Sequence, residues 1–263
     1  MKSERIVIVA LCLLAFVCAK AQDKHAPDLQ IADNSFFDPT KKQVEQQEYH
    51  FGMEYRLEIG YAQHEQRTRS LSYPQLFLHG VRVGATFDFL LPLHFSLQTG
   101  LLYTLTAGKH EQHWRSINAQ APQTNEGERI EHRVTEHNLT VPLRVYYVIP
   151  LWQKLNLFFY TGPQLHIGLA ETDKLNVKVN DETVAWLEGL GIPTEDYDRM
   201  EKDRTRANIQ WGLGGGLEWD CFRLQSGYDF GLNNLARKQD YAPNRYMSEW
   251  GWFISFCYRI NNK

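Results

Sequence analysis

Apolar and polar residues alternate with a period of two in eight separate stretches of this chain, a pattern that predicts eight β-strands. In the first, Phe51, Met53, Tyr55, Leu57, Ile59 and Tyr61 share one face, opposite Gly52, Glu54, Arg56, Glu58 and Gly60. The second sets Val81, Val83, Ala85, Phe87 and Phe89 against Arg82, Gly84, Thr86 and Asp88, and the third runs the same way from Phe95 to Thr106. The pattern returns around Asn138 to Ile149, Leu155 to Leu169, Ile209 to Trp219, Phe222 to Leu232 and Trp250 to Ile260. None of the eight apolar faces carries a charge. The opposite faces are rich in glycine and hold five acids (Glu54, Glu58, Asp88, Glu218, Asp229) and five arginines (Arg56, Arg82, Arg144, Arg223, Arg259), but no lysine.

Alternation alone also suits a soluble sandwich, whose polar face meets water. The polar face here does not read as a solvated one, because glycines and compact charges replace the usual lysines. A charge facing mid-bilayer lipid costs about 2–4 kcal/mol, so a face kept free of charge is what hydrocarbon demands. The connections point the same way. Leu91–Leu93, Pro150–Lys154 and Asp220-Cys221 are short, and they alternate with long polar segments at His64–His79, Lys109–Arg133, Glu171–Thr205 and Ala236–Glu249. Short periplasmic turns alternating with long outer loops mark a transmembrane barrel. The predicted fold is therefore all-β: an eight-stranded, up-and-down antiparallel transmembrane β-barrel over 49–263.

The N-terminus fits an exported protein. Lys2 and Arg5 precede an apolar run from Ile6 to Val17, and Ala19-Lys20-Ala21 offers small residues for cleavage before Gln22. That run is too short for a membrane helix, which needs about 20 residues. Residues 1–21 are thus read as a signal peptide and 22–48 as a periplasmic arm. Removing the signal takes Lys2, Arg5, Lys20 and Glu4 from 28 basic and 31 acidic residues, leaving 25 and 30. This acidic balance gives no reason to expect nucleic acid as a partner. The expected partners are outer-membrane lipid and, through the outer loops, another envelope protein or a surface ligand.

Pro142 and Pro163 interrupt two of the strands, and a closed barrel has no free edge to absorb a missing donor, so bulges are predicted at both. The residues around them are informative. Leu139-Thr140-Val141-Pro142-Leu143 with Tyr146-Tyr147 resembles the proline-bearing strand of PorT-type outer-membrane barrels of Bacteroidota. Tyr160-Thr161-Gly162-Pro163-Gln164-Leu165 is similar to the strand that follows it in that family. Gly212-Leu213-Gly214-Gly215-Gly216-Leu217-Glu218 and Tyr228-Asp229-Phe230-Gly231-Leu232-Asn233-Asn234 look like its last hairpin. The resemblance runs from about Phe51 to Ile260. It implies the fold and the outer membrane, with one branch of the family serving protein secretion, and it supplies no catalytic residues.

Candidate chemistry is sparse. The ten inward charges are expected to pair in a lumen just wide enough for side chains. His94-Phe95-Ser96 superficially resembles the His-x-Ser pair of lipid A deacylases, but by the alternation both side chains face inward beside a periplasmic turn. His110, His113, His132 and His137 flank a long outer loop without metal-ligand spacing and are read as solvated. No cofactor or metal is expected, and the protein is expected not to be an enzyme; the alternative is a lipid-modifying or proteolytic barrel enzyme. Glu182 to Leu190 suits a short helix on the third outer loop, ended by Gly191 and Pro193. Cys221 and Cys257 share the inward direction near the periplasmic end of adjacent strands. They can bridge if the register aligns them, whereas a two-residue offset carries their Cα atoms beyond about 7 Å.

Overall fold

The computed structural model describes residues 52–68, 76–113, 129–189, 194–202, 204–237 and 246–260, all within the unit Glu48–Lys263. The expected signal segment, the arm and Phe51 lie outside the described residues. Eight long strands form the wall: β1 (Met53–Thr68), β2 (Leu76–Leu90), β3 (Phe95–His113), β4 (Arg129–Pro150), β5 (Leu155–Lys178), β7 (Ala207–Trp219), β8 (Phe222–Gly231) and β9 (Met247–Arg259). Between β5 and β7 lie a helix α1 (Asp181–Gly189), a two-residue strand β6 (Tyr197–Asp198) and a single helical turn α2 (Arg199–Lys202). Every long strand pairs antiparallel with its neighbour along the chain. Pairing of β1 with β9, from Arg56↔Arg259 to Thr68↔Met247, closes the ring.

The two faces of this wall invert the arrangement of a water-soluble protein. Outward-facing Leu57, Leu101, Phe159 and Ile209 are each about half exposed, while Arg56, Asp88 and Arg144 are buried. Large apolar surface is tolerated all round a barrel only where the surroundings are hydrocarbon. Among the described residues no helix is long and apolar enough to cross a membrane; the crossing is made by strands.

The strands run further than the alternation predicted. A membrane strand needs only about 9–11 residues, yet β3, β4 and β5 have 19, 22 and 24. Pairing continues through His113↔Arg129 and Arg129↔Lys178, so these three strands project beyond the bilayer as one wall. At its rim Glu131 accepts hydrogen bonds from Lys178 (2.7 Å) and Arg129 (3.0 Å), which hold its carboxyl down to about 2.

No bulge forms at either proline. The register is continuous past both, with Thr99↔Leu143 and Leu102↔Thr140 on one side of β4, and Pro142↔Gln164 and Val145↔Thr161 on the other. Pro163 pairs in step with Trp211. Gly162 explains part of this: its φ is 157°, and a Cβ there would sit 2.2 Å from the Leu143 carbonyl oxygen, so the strands close up without an extra residue. The bulge lies elsewhere. His137 pairs with Ala170 and Asn138 with Gly168, which leaves Leu169 as the extra residue. Below it the even-numbered residues of β5 point inward; above it Glu171 and Asp173 do.

The turn between β2 and β3 carries strain. Leu93 and His94 both take positive φ, 62° and 65°, which costs an L-residue roughly 1–2 kcal/mol. His94 is therefore exposed within the turn and only Ser96 points inward, contrary to the simple alternation. Asn-Gly suits consecutive positive φ angles. Replacing Leu93-His94 by Asn-Gly is expected to raise stability by about 1 kcal/mol, read from urea unfolding in detergent. An unchanged midpoint would mean that exposed Leu93 offsets the strain by contacts with the membrane surface.

Candidate functional site in the barrel interior

Three layers of side chains fill the lumen. Nearest the short turns, Arg56 donates to Asp88 (2.9 Å), Glu54 (2.5 Å) and Glu218 (3.1 Å). Arg223 lies 2.8 Å from both Asp88 and Glu218, and Arg259 donates to Glu54 at 2.7 Å. In the middle, Arg82 pairs with Glu58 (3.0 Å) and reaches Asp229 (3.7 Å), and Arg144 pairs with Asp229 (3.4 Å). All ten predicted interior charges thus meet other charges within the barrel.

Aromatic rings seal the middle layer. Tyr146 stacks on Tyr160 with ring centroids 5.0 Å apart, and Phe158 and Phe253 complete a buried cluster. Arginines cover these rings: Arg82 over Phe253 at 4.1 Å, Arg144 over Tyr160 at 4.8 Å, Arg223 over Tyr146 at 4.9 Å. The glycines of β7 and β8 make the room. A Cβ at Gly227 would sit 1.8 Å from the Tyr160 hydroxyl, and one at Gly214 would sit 2.4 Å from it.

The two cysteines do not bridge. Cys257 pairs with Arg223, while the Cys221 carbonyl accepts from Arg259 N (2.8 Å). The offset is two residues, which separates the Cα atoms too far.

The outermost layer is one that sequence reasoning largely missed. Arg204, between α2 and β7, donates to Glu136 (2.6 Å) and Glu171 (2.7 Å) and also to Glu249. Arg199 of α2 donates to Glu171 (2.8 Å) and Gln66 (3.0 Å). His64 Nδ1 lies 3.0 Å from Glu136, and His166 Nε2 lies 3.1 Å from Glu249. His64, Glu136, Glu171 and Glu249 fall in or next to segments read as loop, and only His166 stood on a predicted inward face. A signal was present: Ala62, His64 and Gln66 continue the inward period of β1, as Glu136, Asn138 and Thr140 do for β4. Of the histidines read as solvated, His132 instead contacts Asp173 (2.9 Å) and His137 contacts the Tyr103 hydroxyl (2.6 Å). The helix expected at Glu182 to Leu190 is α1, with Thr183 and Leu187 buried; Leu190, Gly191 and Pro193 lie outside the described residues.

Thr140 Oγ1, His166 and Glu249 form a chain of contacts, 2.9 Å and 3.1 Å long, of hydroxyl, imidazole and carboxylate. The cavity beside it measures about 10 Å³, lined by His64, Gln164, Gln210 and Phe253 among others. That is room for a water molecule but not for a peptide or an acyl chain.

A family model described as an outer membrane protein β-barrel domain matches residues 76–237. Among solved structures, the attachment invasion locus protein Ail of Yersinia pestis is similar at 13% identity, covering 79% of this chain and 98% of its own, with a TM-score of 0.34. Neisserial surface protein A aligns at 9% identity over 80% of this chain and 99% of its own, with a TM-score of 0.41. The outer-membrane protease OmpT of Escherichia coli aligns at 8% identity over 79% and 96%, with a TM-score of 0.39. No curated protein matches the chain in sequence.

Proposed function

The chain belongs to the outer-membrane β-barrel domain family and so resides in the outer membrane of a Gram-negative bacterium; on that premise we propose a non-enzymatic role at the membrane surface. The protein acts as a structural, surface-binding or secretion-associated component of the PorT type of Bacteroidota, exported with a signal peptide cleaved before Gln22. The sealed lumen carries this reading. With Tyr146, Phe158, Tyr160 and Phe253 buried across its middle, the lumen is filled by side chains there, and the barrel's work falls to what it presents outside. The wall of β3, β4 and β5 is the natural place for a partner, since Lys109, Glu111, Arg133 and Lys174 are exposed along it.

Two measurements test this together. Purified protein in planar bilayers is expected to show no discrete conductance steps. Crosslinking in intact cells from single cysteines at Lys109, Arg133 and Lys174, in a background lacking Cys221 and Cys257, is expected to capture an envelope partner or surface ligand. Reproducible channels, or crosslinks only at the short turns, would overturn the proposal.

A further inference from the structure

We infer that His64, Glu136, His166 and Glu249 form a binding site for one divalent transition-metal ion, with Zn²⁺ the ion that fits best. The four residues come from β1, β4, β5 and β9, and their donor atoms all lie within 4.8 Å of one another. His64 Nδ1 is 3.0 Å from Glu136 Oε2 and 3.8 Å from Glu249 Oε1, and His166 Nε2 is 3.1 Å from that same Glu249 oxygen. A tetrahedral ion with bonds of about 2.0–2.2 Å holds neighbouring ligands roughly 3.3–3.6 Å apart. The adjacent donors already have nearly this spacing, and small side-chain rotations close the rest. Two imidazoles with two carboxylates are a donor set that suits Zn²⁺ better than the all-oxygen cations.

The surroundings orient these donors as the outer partners of a metal site do. Arg204 takes Oε1 of Glu136 and Oε2 of Glu249, which leaves Glu136 Oε2 and Glu249 Oε1 facing the two imidazoles. Thr140 Oγ1 lies 2.9 Å from His166 Nδ1 and fixes that ring by its other nitrogen. His166 Nε2, though buried and 3.1 Å from Glu249 Oε1, makes no hydrogen bond of proper geometry, so this nitrogen is aimed into the cluster with its bonding incomplete. Charge adds to the case. Among the described residues the arginines paired with Glu136, Glu171 and Glu249 are Arg199 and Arg204, which leaves one carboxylate of the three in excess when the imidazoles are neutral. A bound cation supplies what is missing; a proton shared between histidine and glutamate is its competitor.

The site is independent of the surface role proposed above, and failure of either leaves the other standing. Tag-free full-length protein, folded in detergent after metal removal, is titrated with Zn²⁺ and with Co²⁺ as a spectroscopic probe. The expected result is one ion per barrel and the visible bands of four-coordinate Co²⁺, abolished by Zn²⁺. The double variant His64→Ala/His166→Ala is expected to lose at least about 100-fold in affinity, and Thr140→Val about 10-fold, with heat-modifiable gel mobility reporting that each barrel is folded. Absence of stoichiometric binding, or the weak spectrum of six-coordinate Co²⁺ in the wild-type barrel, would overturn the site even if the double variant failed to fold. Undiminished binding by a folded double variant would overturn it as well.

Discussion

Replacing Arg204 with leucine is expected to destabilise the barrel by about 3–5 kcal/mol, among the largest losses available to a single substitution here. The guanidinium touches Glu136, Glu171 and Glu249, all fully buried, and no other cation among the described residues pairs with all three. Without it three carboxylates face one another in a water-poor interior, and of the three Arg199 is paired with Glu171 alone. The loss should appear as a shift of the urea midpoint of the folded, heat-modifiable form. Adding Glu249→Gln should recover part of it by removing one uncompensated charge. A loss below about 1 kcal/mol would mean that water reaches these carboxylates readily, and that the segment carrying Arg204 is no seal.

The second large effect belongs to the opposite face. Leu143→Arg and Leu213→Arg each put a guanidinium into the middle of the hydrocarbon, at a cost of about 2–4 kcal/mol. Leu143 and Leu213 are roughly half exposed and lie on the central stretches of β4 and β7. Both variants are expected to insert poorly into lipid vesicles and to stay in the unfolded, slowly migrating form on gels. A folded and soluble Leu143→Arg protein would contradict the membrane assignment itself.

The barrel was legible because each membrane strand meets two different surroundings, and hydrocarbon tolerates no charge. That contrast writes the period into Leu57, Val83 or Ile254 without ambiguity. It fades where the strands leave the bilayer. Outward positions such as Lys109, Glu111, Arg133 and Lys174 are then polar too, and the projecting ends of β3, β4 and β5 read as loop. With those ends went most of the outermost layer, including Glu136 and Glu171. Arg199 and Arg204 could not have been found by alternation at all, since they enter the lumen from a connection rather than from a strand.

Register was equally hard to read. The cysteines differ from a bridged pair by two residues, and no local feature of either strand marks that offset. The prolines were misleading for a related reason. A missing donor in a closed barrel suggests an extra residue, whereas Gly162 lets the backbone close on the Leu143 carbonyl instead.

The extra residue at Leu169 has a consequence for how such a protein can change over time. A strand is a reading frame of two, and a single insertion or deletion inside it would turn its oily side into the lumen. In β5 the frame is reset between the part that meets lipid and the part that meets the outer layer, so the two are written in separate frames. The sequence above Leu169 can then gain, lose or exchange residues under selection from outside the cell. The sequence below, from Leu155 to Gly168, keeps its phase throughout, and what faces the environment is free to diversify while what faces the membrane is not.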